Sequence, residues 1–483
     1  MTVGLRAFQA GTVGSGFGAG SEADIAELSK ALEAGYQIGA GKTGGSALRV
    51  ESLEASLKVL TYTSSHVKLW KKMPKSPAYS TVEEYNQLTD YGGDASPFVQ
   101  EGELPQATDS SYVRRTQLVK FLGTTREITH QATLVHPAHG DLIALENQNG
   151  ILWLLQQVER NLFAGDSSLA FDGESEQWDG LDALIDSANV IDLEGNTLQE
   201  ADIEEAANLI IENYGFPTDM FLGTRTMSDL VKTFYPRERI QLPAPMNGQV
   251  GNTIQTMATQ AGVIEFNPDV FIRRTPTPPA AATSASAPAT PASIVAGAPA
   301  GTNGDHNKGA PAGTSNFAYL VTACNRFGES APVAFAGAVT ALTQVQKDAG
   351  NALPLTVTNP AVIGAFPPEY FKIYRSVAST SAVVPTSLAQ YALIGQVPAS
   401  SQAAAGTTAF SDVNLILPFT SSAYLGEMTP NVLTFRQLMP LMKMDLAVLS
   451  PAFRWMILLY GTPILFAPKK WMRFINIGQL NLR

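Results

Sequence analysis

"FVQEGELPQATDSSYVRRTQLVKFLGTTREIT", Phe98 to Thr129, is the stretch whose reading decides the fold. Pro, Gly and Asp/Ser breaks separate strand-like pieces, of which "YVRRTQLVKFLGTTREIT" (Tyr112–Thr129) is the longest. Together with the preceding "PKSPAYSTVEEYNQLTDYGGDASP" it makes a long, extended, polar segment that cannot easily fold upon itself. A segment of this kind reaches for a partner.

What flanks it is ordered differently. "DLIALENQNGILWLLQQVERNLFAG" (Asp141–Gly165) puts Ile151, Leu154, Leu155, Val158 and Leu162 on one helical stripe, with Asp141 as N-cap and Gly165 as stop. Further on, "EADIEEAANLIIENYG" places Ile203, Ala206, Ala207, Ile210 and Ile211 on one face. "DMFLGT" then reads as a short buried strand and "RTMSDLVKTFY" as another helix, so the texture is α+β. Near the end, "WMILLYGTPILFAP" (Trp455–Pro468) is broken by Gly461 and Pro463 and falls short of the roughly 20 apolar residues a membrane span needs, so it reads as buried strands.

Between these parts the composition changes abruptly. Residues 275–315 are dominated by Pro, Ala, Ser and Gly and read as a linker. After it, Phe317, Tyr319 and Val321 alternate with Leu320 and Thr322, "RFGESAP" makes a turn, and "EYFKIYRS", "YALIGQV" and "FSDVNL" supply further strands. Strands so spaced predict a small antiparallel sandwich over 316–420, and the run resembles fibronectin type III and immunoglobulin-like modules.

Composition bounds the remaining choices. With 483 residues, two or three domains are expected. Against 43 acidic residues stand 32 basic ones, a net charge of −11, which disfavours a general nucleic-acid binder. One cysteine, Cys324, excludes an intramolecular disulfide and suits a reducing cytoplasm. The amino terminus has no charged lead followed by an apolar core, so no secretory signal is expected.

Motifs that could carry chemistry give way to plainer readings. "GAGKTGG" (Gly39–Gly45) resembles a phosphate loop, but the first glycine of that motif should fall at Tyr36, and a helix, not a strand, precedes it. "HPAHGD" (His136–Asp141) could gather a metal, yet Pro137 and Gly140 make it the entry of the long helix; His66, His130 and His306 stand apart. No Gly-x-Ser-x-Gly elbow is present, and Cys324 falls in a predicted strand, where a thiol is inert packing. Asp202 with Glu204 and Glu205 reads as helix-start charge. No catalytic, cofactor-binding or metal-binding residue is nominated. Arg114-Arg115, Arg237 with Arg239, Arg273-Arg274 and Lys469-Lys470 are scattered without aromatic interleaving, which disfavours a nucleic-acid groove. Arg114, Arg115, Arg237 and Arg239, with Glu101 and Glu103, are instead the candidate contacts between copies of the chain.

In this order the pieces are similar to the major capsid proteins of tailed bacteriophages of the Hong Kong 97 fold. The likeness covers about 50–275 and about 425–483, where "LMPLMKMDLAVL" and "APKKWMRFINI" resemble closing strands. It implies an α+β chain with an arm (1–65), an extended loop with flanking strands (66–135), and a spine helix with a peripheral domain (136–198). An axial domain (199–274) follows, then the linker (275–315), the inserted sandwich (316–420), and a closing segment (421–483) returning to the axial and peripheral domains. The resemblance also implies a non-enzymatic subunit, without cofactor or membrane, that assembles with itself into hexamers and pentamers. Scaffolding, portal and decoration proteins would be further partners, DNA would be enclosed without sequence-specific binding, and assembly would occur in the host bacterial cytoplasm. The sandwich departs from the simplest members and would be displayed outside. Alternatives are another virion component of the tail or decoration kind, and a nucleotide-binding enzyme built on Lys42. A secreted adhesin would bring a signal peptide and repeated sandwiches.

Overall fold

A computed structural model describes residues 61–480, except 94–95, 105–106, 136–139, 172–175, 235–253, 261, 273–275, 335–339 and 449. The chain divides into two units. One holds Met1–Leu60 and Leu134–Leu142, of which only 134–135 and 140–142 are described; the other holds Thr61–Thr133 and Ile143–Arg483. The "GAGKTGG" stretch, His136 and His139 lie outside the described residues.

The apolar stripe of the predicted spine folds as α1 (Leu142–Ala164), with Leu154, Val158, Leu162 and Phe163 buried and Ile151 and Leu155 half-buried. Gly165 ends it tightly: a Cβ there would lie 2.5 Å from the Asn161 and Trp178 carbonyl oxygens. Phe163 stacks on Tyr424 at 5.2 Å and faces Phe221 at 6.2 Å, which turns the helix onto one face of a six-stranded sheet.

That sheet is assembled from distant segments: β5 (Val190–Asp192), β6 (Asp219–Gly223), β7 (Thr256–Thr259), β8 (Gly262–Asp269), β19 (Ser421–Gly426) and β22 (Trp471–Ile477), in the order β5-β22-β19-β6-β8-β7. β5/β22 and β6/β8 are parallel and the other neighbours antiparallel. Side chains alternate across it. Met220 and Leu222 of β6 face α2 (Glu200–Glu212) and α3 (Thr224–Phe234), sharing a core with Ile203, Ala206, Ala207, Ile210 and Leu230, while Phe221 faces α1. Ile211, expected on the buried face of α2, is 36% exposed, because it falls at the edge of the face centred on Ile203, Ala206, Ala207 and Ile210. Asp202 accepts the Gln199 N–H at 2.8 Å, which is a helix-start role.

A second sheet runs β1 (Lys75–Pro77), β20 (Leu433–Asp445), β21 (Ala452–Leu465) and β4 (Lys120–Thr129). The broken apolar run is thus one continuous strand, β21. Pro463 is tolerated because β4 pairs β21 only as far as Gly461, so the missing N–H falls beyond the ladder on that side.

The insert folds as facing sheets around one core. β11 (Tyr319–Asn325) lies between the short β12 (Gly328–Glu329) and β13 (Val333–Ala334) on one side and β16 (Tyr370–Ser376) on the other, and β17 (Tyr391–Pro398) follows β16. Opposite lie β9 (Ser293–Ala296), β15 (Leu353–Thr358) and β18 (Thr407–Asp412), paired β18-β15-β9, and β10 (Ser315–Phe317) pairs β14 (Thr340–Leu342). Phe317, Tyr319, Val321, Leu355, Val357, Phe371 and Ile373 meet inside. The stretch expected as a linker is largely structural: it supplies β9, with Ile294 fully buried, and fastens to the sandwich through Thr283 N to Glu329 O (2.9 Å) and Asp305 N to Val413 O (3.1 Å). Small residues there let backbone approach backbone, as where a Cβ on Gly304 would lie 2.6 Å from the Asn351 carbonyl oxygen.

Candidate assembly interface

The polar stretch that opened the sequence reading becomes a hairpin, β2 (Val82–Asp90) against β3 (Ser111–Leu118), joined by a tip over 91–110. Its turn begins where Asp90 Oδ1 accepts the N–H groups of Gly92 and Gly93 at 3.1 Å each, bonds that hold the carboxyl below its ordinary value. Gly93 and Gly102 take the left-handed backbone that β-carbons disfavour.

Among the described residues, the hairpin touches the rest of the chain near its root. Tyr85 meets Phe466 edge-on at 5.0 Å, and Gln87 Nε2 donates to the Phe466 carbonyl at 2.5 Å. Tyr91, Phe98 and Leu104 toward the tip, and Tyr79 ahead of β2, are each more than 80% exposed, and Tyr112, Leu118 and Leu88 are exposed as well. An isolated two-stranded ribbon is marginal in water, and unpaired edges invite another chain.

The nominated residues separate by strand alternation. Arg114 points to one side, 3.3 Å from Glu84 and 3.4 Å from the Asn86 side chain, and stays two-thirds exposed. Arg115, opposite Tyr85, lines a cleft of about 730 Å³ with Gln87, Asp179, Asp182 and Arg473. Asp182 is committed there, ion-paired with Arg473 at 2.8 Å and accepting the Tyr424 hydroxyl at 2.7 Å. Glu101 and Glu103 lie exposed in the tip. Arg237 and Arg239 lie outside the described residues. The surface therefore offers an aromatic ribbon with one outward guanidinium and an acidic tip, a donor set suited to protein contact.

Among the described residues no group of three or more His, Cys, Asp or Glu could hold a metal ion. No helix of the described residues is long and apolar enough to cross a membrane. Cys324 is buried in β11, and burial pushes its thiol up to about 12, far from a nucleophile's range.

One group the sequence reading missed is Glu159, fully buried on α1. It stands four residues after Leu155 and three before Leu162, so its place among the stripe residues was the available signal.

The family model of the SU10 major capsid protein matches residues 40–286. The major capsid protein of Staphylococcus phage S25-3 is 29% identical over 472 residues, covering 94% of this chain and 95% of that one; the one from Staphylococcus phage K matches to the same extent. A putative major capsid protein of Enterococcus phage phiEF24C is 27% identical over 467 residues, with 94% and 95% covered. Among solved structures, the capsid of a native GTA particle overlays 89% of this chain and 96% of its own at 7% identity and a TM-score of 0.45, which is a likeness only. A bare ribbon built for protein contact and a family match over half of the chain lead to one statement: the chain belongs to the SU10 major capsid protein family and is a structural protein of the virion capsid, not an enzyme.

Proposed function

We propose that the chain is the repeating subunit of an icosahedral shell that encloses the DNA of a tailed bacteriophage, organised as in the Hong Kong 97 fold. In this reading α1 is the spine and the β2–β3 hairpin is the extended loop. The six-stranded sheet with α2 and α3 joins the axial and peripheral parts, and residues before 66 form the arm. Copies meet as hexamers and pentamers; scaffolding, portal and decoration proteins join them during assembly in the bacterial cytoplasm. The inserted sandwich is an immunoglobulin-like module displayed on the outer face. Its pairing supports this: β11-β16-β17 follows the C-F-G order and β9 pairs β15 as B pairs E. It departs from the constant-type pattern where β18, from the end of the module, takes the place beside E that D would hold, and where β12 and β13 lie beyond C.

The observation that carries the assembly reading is the hairpin, on which Tyr91, Phe98 and Tyr112 stand exposed beyond the Tyr85–Phe466 contact. In a shell, many copies of one modest interface replace a single deep core. Glu101, Glu103, Arg114 and Arg115 would then steer and register the contact. Arg114 is free to do so because its pair with Glu84 is solvent-exposed, and such pairs contribute about 0–1 kcal/mol.

The test is assembly of the purified full-length chain, followed by light scattering. Replacing Arg114 and Arg115 together by Glu is expected to raise the concentration needed for assembly about tenfold or more, equivalent to about 1.4 kcal/mol. The melting temperature of the unassembled chain should not move. Unchanged assembly of the double variant would remove these two residues from the interface.

A further inference from the structure

Two carboxyl groups meet inside the protein, away from the hairpin faces. Glu159, in the last two turns of α1, and Asp269, the final residue of β8, are both fully buried, and each acts on the other's protonation. Glu159 also receives three backbone donors from one short segment: Lys68 N–H at 2.8 Å and Leu69 N–H at 2.6 Å on Oε1, and Trp70 N–H at 2.9 Å on Oε2. These open the helical turn Leu69–Lys72, which leads through Pro74 into β1 and the hairpin. Asp269 Oδ1 accepts the Phe271 N–H at 2.7 Å, while its buried Oδ2 meets no N–H or O–H donor of the described residues.

The charges around the pair do not neutralise it twice. Lys75, on β1, acts on Glu159 from a distance, but its ammonium is engaged by the Trp70 carbonyl at 2.8 Å and lies 4.5 Å over the Trp70 ring. His66 and Lys68 act on Asp269, and the His66 Nδ1 accepts from the Thr63 N–H at 3.0 Å. Two carboxylates in contact in a dry interior cannot both be ionised without a cation bound to them, so one proton stays between them. With that proton, one carboxyl donates to the other and the remaining oxygens accept backbone N–H groups. Without it, like charges face each other and the buried Asp269 Oδ2 is left without a hydrogen-bond partner.

We propose that Glu159 and Asp269 share one proton and form a pH-released latch that fastens residues 66–73, the root from which the hairpin extends, to the spine helix. Loss of the proton leaves two carboxylates in contact, and the 68–70 backbone is freed because its anchor is drawn toward water. The direction follows from linkage. Burial first, then the Asp269 contact, raise the titration of Glu159 from the ordinary carboxylate range to about 8. A closed latch therefore keeps a proton that an open one releases, so it is tightest in acid. It weakens as pH rises toward 8 and changes no further above that.

Hydrogen exchange of the Leu69 and Trp70 amides in the full-length chain reads the latch directly. After correction for intrinsic exchange, their opening equilibrium is expected to rise at least tenfold between pH 5 and 8, by at most tenfold per pH unit, and then to level off. Asp269→Asn imitates the protonated acid: its carbonyl can still accept the Phe271 N–H and its amide can donate to Glu159. It should flatten the profile while amides elsewhere keep theirs. Glu159→Gln would instead set an amide donor against the Trp70 N–H and loosen the turn at every pH. An infrared band of a protonated carboxyl at pH 6 in the unsubstituted chain, absent at pH 9, provides a reading that needs no variant. A flat profile in the unsubstituted chain, an unaltered profile in Asp269→Asn, or no such band at pH 6 would each overturn the proposal.

Discussion

Arg375 and Asp412 show what a single pair fixes inside the sandwich. The two side chains are 2% and 3% exposed and 2.6 Å apart. Asp412 also accepts the Tyr319 hydroxyl at 2.8 Å, its backbone carbonyl meets His306 Nε2 at 3.0 Å, and Arg375 reaches on to the Asn414 side chain. Burial alone would raise the Asp412 carboxyl; the Arg375 charge, with His306 and the hydrogen bonds, outweighs it and holds the carboxyl below its ordinary value. Replacing Asp412 by Ala strands a buried guanidinium and should cost about 3–5 kcal/mol, read as a fall in the denaturant midpoint of the full-length chain. A loss under about 1 kcal/mol would mean that water or another acceptor takes over. The pH dependence should oppose that of the Glu159 latch. A depressed carboxyl gives stability that is present above its unfolded value and lost only as pH falls through the folded one, so the sandwich should weaken in acid where the latch is tightest. Little of this was legible in the sequence. Arg375, His306 and Asp412 are separated by 37 residues or more and follow no pattern that spacing could reveal. Glu159 alone left a trace, as an acid on an apolar stripe.

Elements were more legible where periodicity was strong. The stripe of α1, the alternation of β11 and the fully buried β6 all fold as their spacing predicts, because each presents a face that must be covered. β9 escaped, since four residues inside a Pro/Ala/Ser/Gly stretch carry too little periodicity to separate a strand from a linker. Its consequence is mechanical: the insert is fastened and not tethered. Lys308, within the expected linker, meets Asp192 at 2.6 Å, and Asn476 donates to Asp192 and to the Leu415 carbonyl while accepting the Leu417 N–H, tying both connections to β22 and the end of β5. Charge-assisted, half-buried bonds of this kind contribute about 1.5–3 kcal/mol. Lys308→Ala should therefore make the insert's connections several-fold more sensitive to limited proteolysis without changing the sandwich itself; an unchanged cleavage rate would place the restraint elsewhere. The long strand β21 depends on Gly461 in the same local way. A Cβ there would lie 2.3 Å from the Phe435 ring and 2.5 Å from the Arg436 carbonyl, so Gly461→Ala should cost about 1–3 kcal/mol in a thermal melt, against near-neutrality if Phe435 can turn aside.

At the scale of the molecule, segments far apart in sequence close one sheet, while Tyr91, Phe98 and Tyr112 are left exposed on the hairpin. In the proposed shell, a net charge of −11 suits a wall that must not trap packaged DNA. Composition and the order of elements were enough to reach the capsid reading; the placement of the insert was not, because a sandwich signals its own fold and not the surface it stands on. Electron cryomicroscopy of particles assembled from the purified full-length chain tests the whole account most directly. It predicts closed shells of hexamers and pentamers in which each β2–β3 hairpin lies across a neighbouring subunit and each sandwich forms a fixed knob on the outer surface. Monomers under every assembly condition, or shells whose hairpins stand free and whose sandwiches face inward, would contradict it.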